Sequence, residues 1–109
     1  DLHSFPTRRS SDLGNFSNGK LLYESILQNH STVHWSSRDF IDFIEYFKFI
    51  DAPFMASLDG AYNSLSSRQY LFLIVTGKMG KSEVDAGDIL GISPGSVRSI
   101  KSRIKTKKK

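Results

Sequence analysis

Between Ser82 and Lys105 the chain spells two short amphipathic helices joined at Gly91-Ile92-Ser93, and no other stretch constrains the fold as much. Ser93 can accept a hydrogen bond from a free backbone N–H of the next turn, and Pro94 enters the helix with its φ set and no N–H to waste. Val97, Ile100 and Ile104 then fall at i, i+3 and i+7 on one face. Ser96, Arg98, Ser99, Lys101, Ser102, Arg103 and Lys105 lie on or near the other. The preceding segment is expected to bring Val84, Ile89 and Leu90 to the same core, with Ser82 as N-cap and Gly91 as the left-handed residue that ends it.

One face of the second helix can bury while the other offers donors and positive charge. A B-DNA major groove admits a single α-helix, and base edges and phosphates are read by such side chains. Amphipathicity alone would not separate this helix from any surface helix of a small all-α domain. The sign of the charge does separate it. From Arg98 to the end there are seven Lys or Arg and no Asp or Glu, whereas residues 14–97 hold six Lys or Arg against nine Asp or Glu. The formal charge of +4 is thus an acidic body with a basic end, as in proteins that seek phosphate, and the pI of about 9.5 agrees. Lys107 to Lys109, taken alone, read as a loose solubilising tail.

The stretch LSSRQYLFLIVTGKMGKSEVDAGDILGISPGSVRSIKSRIK, residues 65–105, resembles the LuxR-type helix-turn-helix of bacterial transcription regulators. The positions that carry the resemblance are Leu65, Ser66, Arg68, Gln69, Ser82, Asp85, Leu90, Ile92, Ser93, Ser96, Val97, Arg98, Arg103 and Ile104. Where that family has Ile-Ala inside the first helix of the motif, this chain has Ala86-Gly87. The smaller pair is expected to pack less tightly, and a Gly inside a helix costs ~1 kcal/mol relative to Ala. Sigma-factor C-terminal domains share the wording around Ile92-Ser93. Residues 35–69, with a Trp, a Phe-rich helix and an Asp-x-x-Phe turn, are similar to the lead-in of this motif in regulators that carry tetratricopeptide sensor regions upstream. Sigma factors lack that lead-in.

The lead-in also has a physical reading of its own. Phe40, Phe43, Ile44, Phe47 and Ile50 recur at helical spacing, Ser36 with Asp39 forms a capping-box pattern, and Asp51 followed by Pro53 stops one helix and starts another. Phe54, Leu58 and Tyr62 continue the apolar face. Such an aromatic stripe is read as core rather than as a base-stacking platform. Ser66 with Gln69 is a second capping box, opening a helix whose Tyr70, Leu71, Leu73, Ile74 and Val75 make it the central scaffold. Gly77 and Gly80 turn the chain toward Ser82. Residues 14–19, GNFSNG, read as a mobile turn, Lys20 to Gln28 as a short helix ending a longer upstream region, and Asn29 to Val33 as a loop.

The first 13 residues, DLHSFPTRRSSDL, match codon for codon one reading frame of a common sequencing adapter and are excluded from the fold argument. Arg8 and Arg9 are therefore not a basic patch, and native sequence is expected upstream of Gly14. Several chemistries can be set aside. The chain has no Cys, so thiolate metal sites, disulfides and cysteine nucleophiles are excluded. His30 and His34 read as a surface pair, not a zinc site. Asp39, Asp42 and Glu45 read as a solvated acidic helix face. The GKMGKS run at 77–82 lacks the first Gly and the preceding strand of a phosphate loop. No apolar run reaches the roughly 20 residues that span a bilayer.

The expected fold class is all-α, a small domain of about five helices with a C-terminal helix-turn-helix. The segments are 1–13, adapter-derived and not native; 14–34, linker and short helix; 35–64, aromatic-rich lead-in; and 65–109, DNA-binding domain with a basic tail. Arg98, Ser99, Lys101 and Ser102 are expected to face bases of double-stranded DNA. Lys78, Lys81, Ser93, Ser96, Arg103 and Lys105 are expected to contact phosphates. No catalytic residue, metal or cofactor is expected, since no nucleophile, base and orienting group appear together. The resemblance implies a homodimer, and the absence of Cys fits a cytoplasmic location. Two alternatives stay open: a sigma-factor promoter-recognition domain, with RNA polymerase as partner, and a helical interaction module whose basic end binds an acidic surface.

Overall fold

Local capping decides where the helices begin. In the computed structural model, which describes residues 17–109, Ser36 accepts from the Asp39 N–H at 3.2 Å while the Ser36 N–H donates to Asp39 Oδ2 at 3.1 Å. This reciprocal box opens α2, Ser37–Ile50. Asp51 closes α2 by donating its N–H to the Phe47 carbonyl at 2.9 Å, and its carboxylate accepts from the Phe54 N–H at 3.2 Å to open α3, Ala52–Ala61. Ser66 and Gln69 repeat the box at the start of α4, Ser67–Leu73. α4 runs into a π-helical turn, Ile74–Lys78, which ends where Met79 donates back to the Ile74 carbonyl at 3.0 Å. Gly80, at φ 69°, then turns the chain into α5, Glu83–Leu90, and α6, Pro94–Thr106. With α1 over 17–27, the described residues hold six α-helices and no strand, so the all-α class is the observed one. The adapter-like segment and residues 14–16 lie outside the described residues.

A single core joins these helices. Phe40, Phe43, Ile44 and Phe47 bury one face of α2 against Leu71, Phe72, Ile74 and Val75 of the central α4 and its π turn, and Ile89, Leu90, Val97 and Ile104 reach the same core. Rings run through it in series. Trp35 packs edge-on to Phe40 at 5.1 Å, Phe43 stacks on Phe47 at 6.1 Å, and Phe47 meets the edge of Phe54 at 6.0 Å. Ile50, expected on this stripe, is 41% exposed although it stands nearly in line with Phe43, because it is the last residue of α2. Met55 of α3 is part of the core, at 2% exposure.

Three expectations need correction. Residues 17–19 are not a turn but part of α1, and Gly19 is buried where α1 crosses α2. A Cβ at Gly19 would lie 2.5 Å from Tyr46 Cβ and 2.6 Å from the Asp42 carbonyl oxygen, so only Gly permits the crossing. Asp42 is not solvated. It is buried, accepts from Asn18 Nδ2 at 2.8 Å and pairs with Arg38 Nε at 3.2 Å. Nor is the C-terminus a loose tail. Asn63 donates to the Lys107 carbonyl at 2.8 Å, Lys108 bridges Tyr62, and the Lys109 N–H donates to the Ala61 carbonyl at 2.8 Å. Lys107 Nζ reaches Gln69 Oε1 at 2.8 Å and the Ser64 carbonyl at 2.9 Å. Beside this clasp the Tyr70 hydroxyl donates to Asp59 Oδ1 at 2.5 Å, and that bond, together with burial and the carboxylate charge, pushes the phenol up to about 12.

Two glycines should respond oppositely to the same substitution. Gly19→Ala has no room and is expected to destabilise by ~1 to 3 kcal/mol through overpacking. Gly60→Ala, in α3 with nothing near its missing Cβ, is expected to be neutral or to stabilise by up to ~1 kcal/mol. Urea unfolding midpoints of the two variants test both signs.

Candidate nucleic-acid interface

The α5–α6 pair follows from its caps and from one missing side chain. Ser82 Oγ accepts from the Asp85 N–H at 3.1 Å, and Glu83 and Asp85 place negative charge in the first turn, where the helix dipole favours it. Gly91 ends α5 in the left-handed region, at φ 68° and ψ 38°. Ser93 Oγ accepts from the Ser96 N–H at 3.2 Å, and Pro94 stands in the first turn of α6. Between the helices, a Cβ at Gly87 would sit 3.1 Å from Val97 Cγ2 and 3.3 Å from the Ile92 carbonyl oxygen. The Ala86-Gly87 pair therefore does not loosen the packing, as its size suggests, but lets α6 approach α5 closely.

Val84, which the sequence pattern assigns to this core, is 72% exposed. The buried residues of α5 are Ala86, Gly87, Ile89 and Leu90, and Val84 precedes Ala86 by two positions, about 160° round the helix. It lines instead an open groove of about 290 Å³ between α5 and α6, with Pro94, Arg98 and Lys101.

α6 buries Val97 and Ile104, half-buries Ile100, and exposes Ser96, Arg98, Ser99, Lys101, Ser102, Arg103 and Lys105. Arg98, Lys101, Ser102 and Lys105 border one shallow depression. Ser99 lies between that stripe and a second flank formed by Ser96 and Arg103. The four residues expected at bases are thus brought onto one side of α6, with Lys105 among them. Arg98, Arg103 and Lys105 pair with no carboxylate among the described residues.

The other expected contacts are already engaged. Lys101 Nζ lies 2.5 Å from Glu83 Oε2 across the two helices. Lys78 Nζ is 2.8 Å from Asp51 Oδ2, beyond the far end of the π turn, and Lys81 Nζ donates to the Leu27 carbonyl at 3.3 Å. Ser93 and Ser96 share a hydroxyl hydrogen bond at 3.3 Å within the α6 cap. Lys78 ends the π turn and Lys81 lies in the loop before α5, and the structure ties them to the cap of α3 and to α1 rather than bringing them to the α6 stripe.

Residues outside the motif position the pair. The Thr32 N–H donates to the Ile89 carbonyl at 2.6 Å, satisfying a group that the end of α5 leaves open, and Thr32 is buried. Val33 and Ser31 crowd Gly91, where a Cβ would lie 2.1 Å from Val33 Cγ1. Nothing in the residue types of the 29–33 loop marks this role. No described helix is long and apolar enough to cross a membrane. No protein-family model matches the chain, and no curated protein or solved structure matches it significantly.

The Lys78 bond holds the Asp51 carboxyl below its ordinary value of 3.8, against some opposition from burial and with help from the Phe54 N–H. A value lowered by folding means stability that is complete above 3.8 and lost as the pH falls through the folded value. Asp51→Asn keeps a capping side chain and removes the charge. Its urea midpoint should lie below wild type at about pH 6, and the gap should narrow toward about pH 3.

Proposed function

We propose that this chain contains the DNA-binding output domain of a bacterial transcription regulator of LuxR type, with α6 as the element that enters the major groove of double-stranded DNA. The observation that carries the reading is the two-sidedness of α6. Val97 and Ile104 anchor it, and Arg98, Ser99, Ser102, Arg103 and Lys105 stand exposed opposite them with no acidic residue on the same helix. Guanidinium and hydroxyl groups can read base edges, and the flanking cations can neutralise phosphates. By this reading Arg98, Ser99, Lys101 and Ser102 face bases, and Ser93, Ser96, Arg103 and Lys105 face the backbone. Lys78 and Lys81 reach phosphates only by leaving Asp51 and the Leu27 carbonyl. The domain acts in the cytoplasm, where the chromosome is, and a homodimer would pair two half-sites.

Selection of residues 14–109 on a pool of random duplexes, at two salt concentrations, tests the reading. An enriched motif supports a sequence-reading regulator, whereas salt-sensitive retention without a motif supports a basic interaction module. Arg98→Ala is expected to weaken the selected site by ~1 to 3 kcal/mol and to relax selectivity. Lys105→Ala is expected to weaken all duplexes alike and to flatten the salt dependence by about one phosphate contact. Titrations of the selected and a scrambled duplex measure both, and an Arg98→Ala protein with unchanged affinity for the selected duplex overturns the groove assignment.

A further inference from the structure

Lys101 stands on the side of α6 offered to DNA, yet its ammonium is held by a carboxylate of the neighbouring helix. Glu83 is the first residue of α5, exposed and immediately after the Ser82 cap, and its Oε2 lies 2.5 Å from Lys101 Nζ. Both side chains are about half exposed, at 48% for Lys101 and 53% for Glu83, so the pair adds little to stability. Its effect falls on what approaches α6. Glu83 and Asp88 share the α5–α6 groove with Arg98 and Lys101, which puts carboxylates beside the cations at one edge of the α6 stripe. A phosphate drawn to Lys101 must displace Glu83 and lie next to its negative charge. Phosphates are the same in every sequence, so a penalty on that contact falls most heavily on non-specific binding.

We infer that Glu83 is a specificity-determining residue of the α6 surface. It holds Lys101 along the groove beside Arg98 and withholds one cation from indiscriminate phosphate contact. This rests on the DNA-binding reading above. Glu83 does not itself read the backbone; it acts through Lys101, and the paired ammonium remains able to offer a donor to a base edge that the whole site positions. A freed Lys101 would bind any duplex, and the ratio between a selected site and random sequence would fall.

The test uses residues 14–109, Glu83→Gln, Asp88→Asn and Lys101→Met, and the double variant of Glu83→Gln with Lys101→Met. Each is titrated with the motif-bearing duplex and with a scrambled duplex over a range of salt, and melting is followed by circular dichroism to verify folding. Glu83→Gln is expected to bind the scrambled duplex several-fold more tightly, with a salt slope steeper by about 0.9, one further phosphate contact, and with a reduced selectivity ratio. Asp88→Asn removes the same charge from the same helix without freeing Lys101, and is expected to leave the slope unchanged. In the Lys101→Met background, Glu83→Gln should lose most of its effect. Equal effects of Glu83→Gln and Asp88→Asn, or an unchanged Glu83 effect without Lys101, would overturn the inference while leaving the DNA-binding reading intact. A wild-type protein that enriches no motif would remove that reading and this inference with it.

Discussion

The distance between α5 and α6 rests on a missing methyl. With Val97 Cγ2 at 3.1 Å and the Ile92 carbonyl oxygen at 3.3 Å from where a Cβ of residue 87 would be, a side chain there is tight against both and makes Val97 or the Ile92 backbone give by a few tenths of an ångström. Val97 and Ile104 are at 4% exposure because α6 can come this close, and the exposed cationic stripe is simply the remainder of the same helix. The helix-propensity cost of Gly87, about 1 kcal/mol, is offset by that contact, since two buried branched side chains return more than that when fully withdrawn from water. The surface offered to a partner is therefore set from behind, by packing.

Charge in this chain is less available than its count suggests. Five of the basic residues in the last third are committed to other groups. Lys78 is held by Asp51, Lys81 by the Leu27 carbonyl, Lys101 by Glu83, and Lys107 by Gln69 and the Ser64 carbonyl. Lys109 spends its ammonium on the Asp59 carbonyl at 3.0 Å. Exposed pairs of this kind contribute little to stability, but they decide where positive potential is concentrated. Within α6 the uncommitted cations are Arg98, Arg103 and Lys105, and the acidic residues of α5 border the helix at Lys101. A basic end in the sequence thus becomes, in three dimensions, a stripe through Arg98, Lys101 and Lys105 with a defined acidic edge, and Arg103 on a separate flank of α6.

What the sequence shows well is whatever is decided within four residues. The caps at Ser36, Ser66, Ser82 and Ser93, the double duty of Asp51 and the left-handed Gly91 were all legible, because a side chain and the N–H it accepts from are neighbours along the chain. The aromatic stripe of α2 was legible from its period, except at Ile50, where the helix ends. The contacts that the residue pattern does not show span long separations. Asn18 meets Asp42 across 24 positions, Lys107 meets Gln69 across 38, and Lys81 meets Leu27 across 54. Gly19 looked like a turn residue because a glycine chosen for close approach and one chosen for backbone freedom are identical in sequence. Val84 looked like core because a two-turn helix leaves too few apolar residues to fix the phase of its buried face.

These long contacts explain why α6 is oriented by residues outside the motif. At its leading end, the close of α5 is held by the 31–33 loop, with Thr32 donating to the Ile89 carbonyl and Val33 covering Gly91. At its trailing end, Lys107 to Lys109 pair with Ala61, Tyr62 and Asn63 at the α3–α4 connection. A buried carbonyl left without such a partner costs about 1 to 3 kcal/mol, and an eight-residue helix has little intrinsic stability to absorb the loss. The aromatic lead-in and the basic helix are therefore one mechanical unit. Whatever α6 binds, the direction in which Arg98 and Lys105 point is fixed by where α2, α3 and the 29–33 loop stand.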